Sequence, residues 1–304
     1  MINYKGLKVG RKLSVDYSAF NIRVHPHPDK TVYVDLFETL FNQNKKISIG
    51  NNSSAKINRL WAIQEGKPLE GLIGEIIKYN DIAEDGWVNI ETGKYAEQDE
   101  LDAIKIPDDL KPNGKNFYFV FFPKTHILVT EIRDKDGNFS PKMQEKFFKL
   151  LFTSTSLLEK FNAIDITVFP DTSAVKHILE SKTLKKLELI ILRPNPNDFE
   201  IFEEDILEEM ENQNAKVFEK KLIAQDKQYL KPNEITKKQI QVAADNGKII
   251  YTDVDQETGL LNKDKSTSET PFIERDKYDP AKTTPLDFIK IKAAEIVQTL
   301  KSRM

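Results

Sequence analysis

The chain has 304 residues, of which 31% are charged and 39% hydrophobic, and its formal net charge is -3 at pH 7. This composition predicts a folded, soluble protein with room for two domains, and it excludes a disordered chain and a surface that is basic all over. The absence of cysteine excludes disulfides, thiolate metal sites, iron–sulfur clusters and a cysteine nucleophile, and it is typical of a reducing cytosol.

The hydropathy of the chain predicts that the protein is located in the cytoplasm. No apolar run approaches the roughly 20 residues that span a bilayer. The N-terminal segment also lacks the hydrophobic stretch of a signal peptide. We therefore predict a cytoplasmic protein without membrane contact.

The first third of the chain predicts a mostly antiparallel sheet with helices packed on it. A short alternating strand at residues 20–24 precedes a helix over residues 31–42, where apolar side chains recur at helical spacing. Short extended segments, separated by clusters of Gly, Asn and Asp, then predict an antiparallel meander. These segments cover residues 45–49, 55–64, 71–79 and 87–91. A charged connection follows over residues 97–111.

Residues 116–152 form the most apolar part of the sequence. Successive side chains of a strand alternate between its faces, and in residues 117–122 both sets are apolar, so this strand is predicted to lie in the centre of a sheet. A second strand is predicted at residues 127–132. Ser140 as N-cap and Pro141 at the first helical position then predict the start of a helix that covers the sheet.

The second half alternates strands and helices. Strands are predicted at residues 164–169, 187–192, 215–224 and 248–254. Helices are predicted at residues 173–182, 198–211 and 235–245, and from residue 284 onward, with a polar excursion over residues 255–270. We predict an α+β fold of two domains that meet near the polar residues 153–156. Residues 1–160 form the antiparallel-sheet domain with its covering helices, and residues 161–304 form the alternating α+β domain.

Charge is distributed unevenly along the chain. Residues 1–25 contain five lysines and arginines against one acid, whereas residues 198–211 contain eight acids and no lysine or arginine. The acidic run falls at helical spacing, with Phe199, Phe202, Ile206 and Met210 on one face. It is therefore interpreted as a helix with a buried stripe and a solvated or partner-facing acidic surface.

The chemical motifs in the sequence are weak. His25 and His27 could present two imidazoles from alternate positions of a strand, but both precede proline and only two further histidines exist, so turn or surface roles are favoured over a metal site. Residues 134–138 resemble the start of a calcium loop without the required final acid, and a hairpin turn is favoured. Glycine-rich phosphate loops and the Gly-x-Ser-x-Gly elbow are absent. We predict no catalytic residue, metal or cofactor, and leave open a nuclease whose carboxylates the sequence does not reveal.

Four segments resemble a bacterial family called domain of unknown function 4747. They are residues 21–27 (NIRVHPH), 68–76 (PLEGLIGEI), 119–124 (FVFFPK) and 193–198 (RPNPND). The order of elements also resembles the phage exclusion protein RexA, with an N-terminal antiparallel sheet and an Asn-Pro-x-Pro-like turn at residues 194–197 before a C-terminal α+β domain. That resemblance implies a non-catalytic, DNA-binding homodimer that serves in anti-phage defence.

The functional expectation is a nucleic-acid-binding sensor or effector, with DNA as the favoured ligand and affinity from phosphate contacts. A metal-dependent nuclease and a protein–protein adaptor that uses the acidic helix, with a partner from the same operon, remain the alternatives. Basic residues near the N-terminus and in the next extended segments are the candidate phosphate contacts: Lys8, Arg11, Lys12, Arg23, Lys45, Lys46, Lys56 and Arg59.

Overall fold

A computed structural model describes residues 12–27, 29–50, 52–82, 86–135, 137–153, 155–194 and 201–302. The strands in these ranges are β1 (Leu13–His25), β2 (Ile47–Gly50), β3 (Ser53–Ala62), β4 (Leu72–Asn80), β5 (Val88–Asn89), β6 (Lys94–Tyr95), β7 (Lys115–Phe122), β8 (Ile127–Arg133), β9 (Ala163–Val168), β10 (Leu184–Leu192), β11 (Val217–Ile223), β12 (Gly247–Val254), β13 (Leu261–Ser266) and β14 (Glu274–Tyr278). The α-helices are α1 (Thr31–Asn42), α2 (Gln98–Asp102), α3 (Pro141–Phe152), α4 (Thr155–Phe161), α5 (Thr172–Glu180), α6 (Ile201–Asn212), α7 (Glu234–Asn246) and α8 (Pro285–Lys301). The predicted α+β class is confirmed.

The larger sheet is organised around β1. Its strands follow the order β14-β1-β8-β7-β4-β3-β2, and β9 also pairs with β1. All of these pairs are antiparallel, which agrees with the mostly antiparallel sheet predicted for residues 1–160. The pairing of β9 and β14 with this sheet was not predicted, because residues 164–169 were assigned to the other domain and no strand was predicted over β14. At 13 residues β1 is long enough to pair with β14 near its start and with β9 near its end, while β8 pairs with its middle.

Helices cover both faces of the larger sheet, because β7 is apolar on both faces. Phe117, Phe119 and Phe121 are buried in one core together with side chains of α1, α3 and α4. Val120, between them, is buried on the opposite face in a second core beneath α8. The prediction of a central strand is confirmed.

The smaller sheet has the order β11-β10-β12-β13, and it too is antiparallel. Its core includes Leu187, Leu189 and Ile191 of β10 together with buried side chains of α5, α6 and α7. The opposite face of β10 is half-buried, as expected of an antiparallel sheet with one face towards water. The polar excursion predicted over residues 255–270 contains β13, because this segment folds back and pairs with β12.

The two sheets do not divide the chain near residue 160. The helix α4 lies at the predicted boundary, and its Leu157 and Phe161 are buried in the core of the larger sheet. The strands β9 and β14 both pair with β1, and α8 packs on the same sheet. The chain therefore leaves the larger sheet after β9, builds the smaller sheet, and returns for β14 and α8.

Candidate nucleic-acid interface

A groove with an excess of positive charge lies where β14 pairs with the start of β1. In the strand register Ser14 lies opposite Lys277, and Asp16 lies opposite both Arg275 and Arg133. These side chains therefore share one face of the sheet, since alternate residues of paired strands point the same way. The groove has a volume of about 670 Å³. We call it the basic groove, and its lining residues are Lys12, Ser14, Asp16, Arg133, Arg275, Asp276 and Lys277.

The cations of the basic groove are directed to solvent. Lys12, Arg275 and Lys277 are exposed, and among the described residues they form no ion pair. Arg133 is 65% exposed, and its Nε lies 3.8 Å from Oδ2 of the largely buried Asp16. A solvent-exposed pair at this distance holds its partners weakly, so the guanidinium remains available to an anion.

A second carboxylate beside the groove is neutralised from the other side of the sheet. Oδ2 of Asp276 lies 2.5 Å from Nζ of Lys292 on α8. Because Asp276 alternates with Arg275 and Lys277 along β14, its side chain belongs to the opposite face. The described residues that line the basic groove therefore include four cations and two carboxylates, Asp16 and Asp276, and Asp276 is paired with Lys292 outside the groove.

Positive charge continues along the same end of the larger sheet. Lys78 of β4 pairs with Lys115 of β7, and Nζ of Lys78 donates to the carbonyl oxygen of Asn138, beyond the end of β8, at 3.1 Å. Burial lowers the pKa of Lys78 below its ordinary value. Lys115 is exposed. The two lysines extend the positive edge beyond the groove.

The structure separates the phosphate contacts that the sequence predicted. Lys12 lies in the basic groove, whereas Lys8 and Arg11 lie outside the described residues. Lys45 and Lys46 precede β2, and Lys56 and Arg59 lie on β3, four strands away from β1. At about 4.8 Å per strand this separation is about 19 Å along the sheet. We call the second set the β2–β3 patch: Lys45, Lys46, Lys56 and Arg59.

The β2–β3 patch is partly engaged with its own surroundings. Nζ of Lys56 donates to Oδ1 of Asn44 at 2.8 Å, and Nε of Arg59 lies 4.0 Å from Oε1 of the buried Glu75. Lys45 and Lys46 are exposed. This patch offers fewer uncommitted cations than the basic groove.

The prediction that Arg23 contacts phosphate is wrong, because its side chain is fully buried. Its Nη1 donates to Oγ1 of Thr167 at 3.0 Å, inside the junction between β1, β9 and α7. A guanidinium in the interior cannot reach a phosphate backbone on the surface. Positive charge in the sequence indicated a cation here, but it did not indicate which side of the sheet the cation faces.

Sequence reasoning missed Arg133, Arg275 and Lys277. More than 140 positions separate Arg133 from Arg275 in the sequence, and β1 brings them together by pairing with both β8 and β14. One local signal was present: Arg275 and Lys277 alternate along a strand, which places both side chains on one face.

The predicted histidine pair does not converge on one site. Nε2 of His25 lies 3.2 Å from the carbonyl oxygen of Arg193, and burial lowers the pKa of His25. The ring of His27 instead packs against the rings of Tyr33 and His126, each at 5.1 Å between centroids. Within the described part of the chain no three His, Cys, Asp or Glu side chains are grouped so that they could hold a metal ion.

An apolar cavity lies apart from the basic groove, beside the helices that cover the smaller sheet. Its volume is about 220 Å³, and Val175, Leu179 and Val242 of α5 and α7 form part of its wall. Glu203 of α6 and Lys176 of α5 are charged groups at its boundary. The cavity shares no lining residue with the basic groove.

Comparison with known proteins bears on the family alone. No described helix is both long enough and apolar enough to cross a bilayer. A search of the curated proteins found no match. The resemblance to RexA stays a prediction. The predicted family is confirmed over residues 13–294, and the chain therefore belongs to the family described as Domain of unknown function (DUF4747).

Proposed function

We propose that the protein binds nucleic acid, with DNA as the favoured ligand, by placing the phosphate backbone in the basic groove. The observation that carries this proposal is the convergence of Lys12, Arg133, Arg275 and Lys277 around one groove, three of them without an ion pair to another described residue. Phosphate contacts of this type position a duplex without reading its sequence. The expected affinity is therefore sequence-tolerant and steeply dependent on salt.

Residues 1–12, which we call the N-terminal arm, extend the proposed contact. Lys12 is the last cation of the arm and the first residue of the groove, so the arm and the groove are joined in the chain. Lys5, Lys8 and Arg11 precede it in sequence. In the proposed complex these cations follow the backbone beyond the groove, and the β2–β3 patch is the weaker candidate for a second contact.

The biological role completes the proposal. As a cytoplasmic sensor or effector of anti-phage defence, the protein acts by binding and carries no catalytic site. The role in anti-phage defence and the lack of a catalytic site are inferred from the resemblance to RexA. A homodimer and a protein partner from the same operon belong to the same proposal, with the acidic residues of α6 as the partner surface. A nuclease and an adaptor without nucleic-acid affinity are the outcomes that would replace it.

The test measures binding over a range of salt concentrations by fluorescence anisotropy. The probes are labelled duplex and single-stranded DNA, each in several unrelated sequences. The wild-type slope of log K against log salt reports the number of phosphate contacts, at about 0.9 per contact for duplex DNA. Joint replacement Lys12→Gln, Arg275→Gln and Lys277→Gln should reduce that slope by up to about 2.7.

A matched variant separates the two basic surfaces. Lys45→Gln, Lys46→Gln and Lys56→Gln remove the same charge from the β2–β3 patch, and they should leave most of the slope in place. Loss of binding in this variant alone would move the site to the patch. No binding at low salt to either strand form would replace the proposal by the adaptor, and cleavage of the DNA in Mg²⁺ would replace it by the nuclease.

The defence role has its own readout. Phage should form fewer plaques on cells that express the wild-type chain than on cells that carry an empty vector. Cells that express the groove variant should lose this protection while the protein level stays the same. Equal plating on all three would reject the defence role and leave the binding result unaffected.

A further inference from the structure

The smaller sheet ends on one side at β11, and among the described residues no strand pairs with its outer edge. An open edge presents a row of backbone N–H and C=O groups that can pair with another chain. The other outer strand of this sheet, β13, is irregular. Asp264 has a φ of 48°, and the pairing with β12 shifts between Tyr251 and Asp253. An irregular edge of this kind resists pairing, whereas β11 pairs with β10 in one unbroken register.

The hydrogen bonds of β11 fix which residues face outward. The N–H of Ala224 donates to the carbonyl oxygen of Lys185 at 2.8 Å, across from the start of β10. In an antiparallel pair the residues of a strand alternate between bonding their neighbour on one side and on the other. Even-numbered residues of β11 therefore bond β10. The odd-numbered residues present their N–H and C=O groups to the open edge: Val217, Glu219, Lys221 and Ile223.

The sequence of this strand, VFEKKLI, is complementary to itself about its centre. In an antiparallel pair of two copies centred on Lys220, Glu219 of each copy lies opposite Lys221 of the other, and Val217 lies opposite Ile223. Opposite charges and apolar pairs across strands both stabilise a sheet. The outward-facing residues pair with one another in this register, as continuous hydrogen bonding requires.

Neighbouring registers are disfavoured by charge. A shift by one step of hydrogen bonding in either direction places Glu219 opposite Glu219 or Lys221 opposite Lys221, and like charges directly opposite one another destabilise a sheet. The exposed apolar groups agree with the centred register. Val217 is 37% exposed and Ile223 is 68% exposed, and the pairing covers both.

The lysine at the centre is drawn away from the symmetry axis. Nζ of Lys220 donates to Oγ1 of Thr236 at 2.9 Å and to Oε1 of Gln239 at 2.8 Å, both on α7. These two bonds direct the ammonium onto its own helix. The repulsion between the two copies of Lys220 is thereby reduced.

We propose that this chain forms a two-fold symmetric homodimer in which β11 pairs antiparallel with β11 of a second copy. The two smaller sheets then form one sheet of eight strands. An interface of this type uses the same patch on both copies, as a two-fold dimer requires. The surface does not include the basic groove, so the proposal stands or falls independently of nucleic-acid binding.

Charge reversal on the full chain tests the interface, with mass measured by sedimentation equilibrium over a range of concentrations. Glu219→Lys and Lys221→Glu, each alone, place like charges opposite one another twice in the dimer, and each should weaken dimerisation by about tenfold or more. The double variant Glu219→Lys with Lys221→Glu restores opposite charges and should recover the wild-type affinity. A mixture of the two single variants should form mixed dimers, because their strands are then complementary.

Lys263→Glu on β13 is the matched control, since it reverses an exposed lysine on the other outer strand. It should leave dimerisation unchanged, and thermal melts should show that all variants fold. A wild-type chain that is monomeric at every concentration would overturn the proposal. A dimer that both single variants leave intact, or that the double variant fails to recover, would also overturn it.

Discussion

Asn21 of β1 donates its side-chain N–H to Oδ1 of Asn246 at the end of α7, at 3.1 Å, and to the carbonyl oxygen of Asp245 at the same distance. Asn246 in turn donates from Nδ2 to Oε1 of Glu203 on α6 at 2.7 Å. Asn21 and Asn246 are buried. This chain of hydrogen bonds joins the larger sheet to the helices of the smaller one.

Replacement of Asn246 tests the importance of that junction. Asn246→Ala removes the amide that bridges Asn21 and Glu203, and it should lower the free energy of unfolding by about 1–3 kcal/mol, because buried polar groups lose a partner. Urea denaturation measures the change. Asn212→Ala, at an exposed position of α6, is the control and should stay within about 0.5 kcal/mol. Equal small effects at both positions would show that these hydrogen bonds do not hold the larger sheet to the helices of the smaller one.

Glu131 of β8 predicts a pH dependence of stability. It is buried beside Tyr17, and burial raises its pKa to about 8, although a hydrogen bond from the backbone N–H of Tyr118 at 3.1 Å opposes the shift. Between an unfolded-state pKa of about 4.3 and the folded-state value, the unfolded chain loses a proton that the folded chain keeps. The free energy of unfolding should therefore fall as pH rises, by about 1.4 kcal/mol per pH unit from this group.

Glu131→Gln isolates that contribution. The amide keeps an oxygen that can accept from Tyr118 but has no proton to lose, so the variant should gain stability over the wild type as pH rises through the window and level off above about pH 8. Denaturant titrations at about pH 5, 6, 7 and 8, which cover the window between the two pKa values, measure the difference in stability between the variant and the wild type. A difference that stays constant with pH would mean that Glu131 titrates normally.

Gly74 of β4 predicts a steric coupling with Phe119 of β7. A Cβ atom at Gly74 would lie 2.2 Å from Cζ of Phe119 and 2.9 Å from the carbonyl oxygen of Arg59. Gly74→Ala should lower the free energy of unfolding by about 1–3 kcal/mol through overpacking. Combined with Phe119→Leu, the loss should be smaller than the sum of the two single losses, as measured by a double-mutant cycle.

A control for this prediction is available in the same domain. At Gly114 the nearest atom to an added Cβ is Cδ1 of Ile77, at an ordinary contact distance of 3.8 Å. Gly114→Ala should therefore change stability little. Strict additivity of Gly74→Ala and Phe119→Leu would show that the added methyl group is accommodated elsewhere.

The apolar stripe on the acidic helix α6 predicts that loss of Met210 destabilises the protein. Met210 and Ile206 are buried in the smaller core, as the helical spacing predicted, while the side chains of Phe199 and Phe202 lie outside the described residues. Met210→Ala should lower the free energy of unfolding by about 2–5 kcal/mol. The exposed Glu204→Ala should change it by about 0.5 kcal/mol or less. Thermal or urea unfolding that ranks the two in the opposite order would contradict this packing.

Local sequence patterns determined the elements whose signals lie within a few residues. The helix predicted over residues 31–42 is α1, and Pro141 begins α3 after Ser140, whose hydroxyl accepts from the N–H of Met143. The alternation of residues 117–122 predicted the central strand β7 and its two buried faces. Periodicity and capping are local properties, so a single sequence reveals them.

Only the tertiary structure decided which distant segments meet along β1. Ser18 donates to the carbonyl oxygen of Phe272, 254 positions away. Next to this contact β14 pairs with the start of β1 and completes both the larger sheet and the basic groove. The sequence carries no local mark of such a pairing, because the free energy that selects it comes from burying a whole face of the sheet. The same reason explains Arg23 and Arg275. Both are cations on strands, and the packing of β1 against α7 buries the first, whereas the second, on β14, faces solvent.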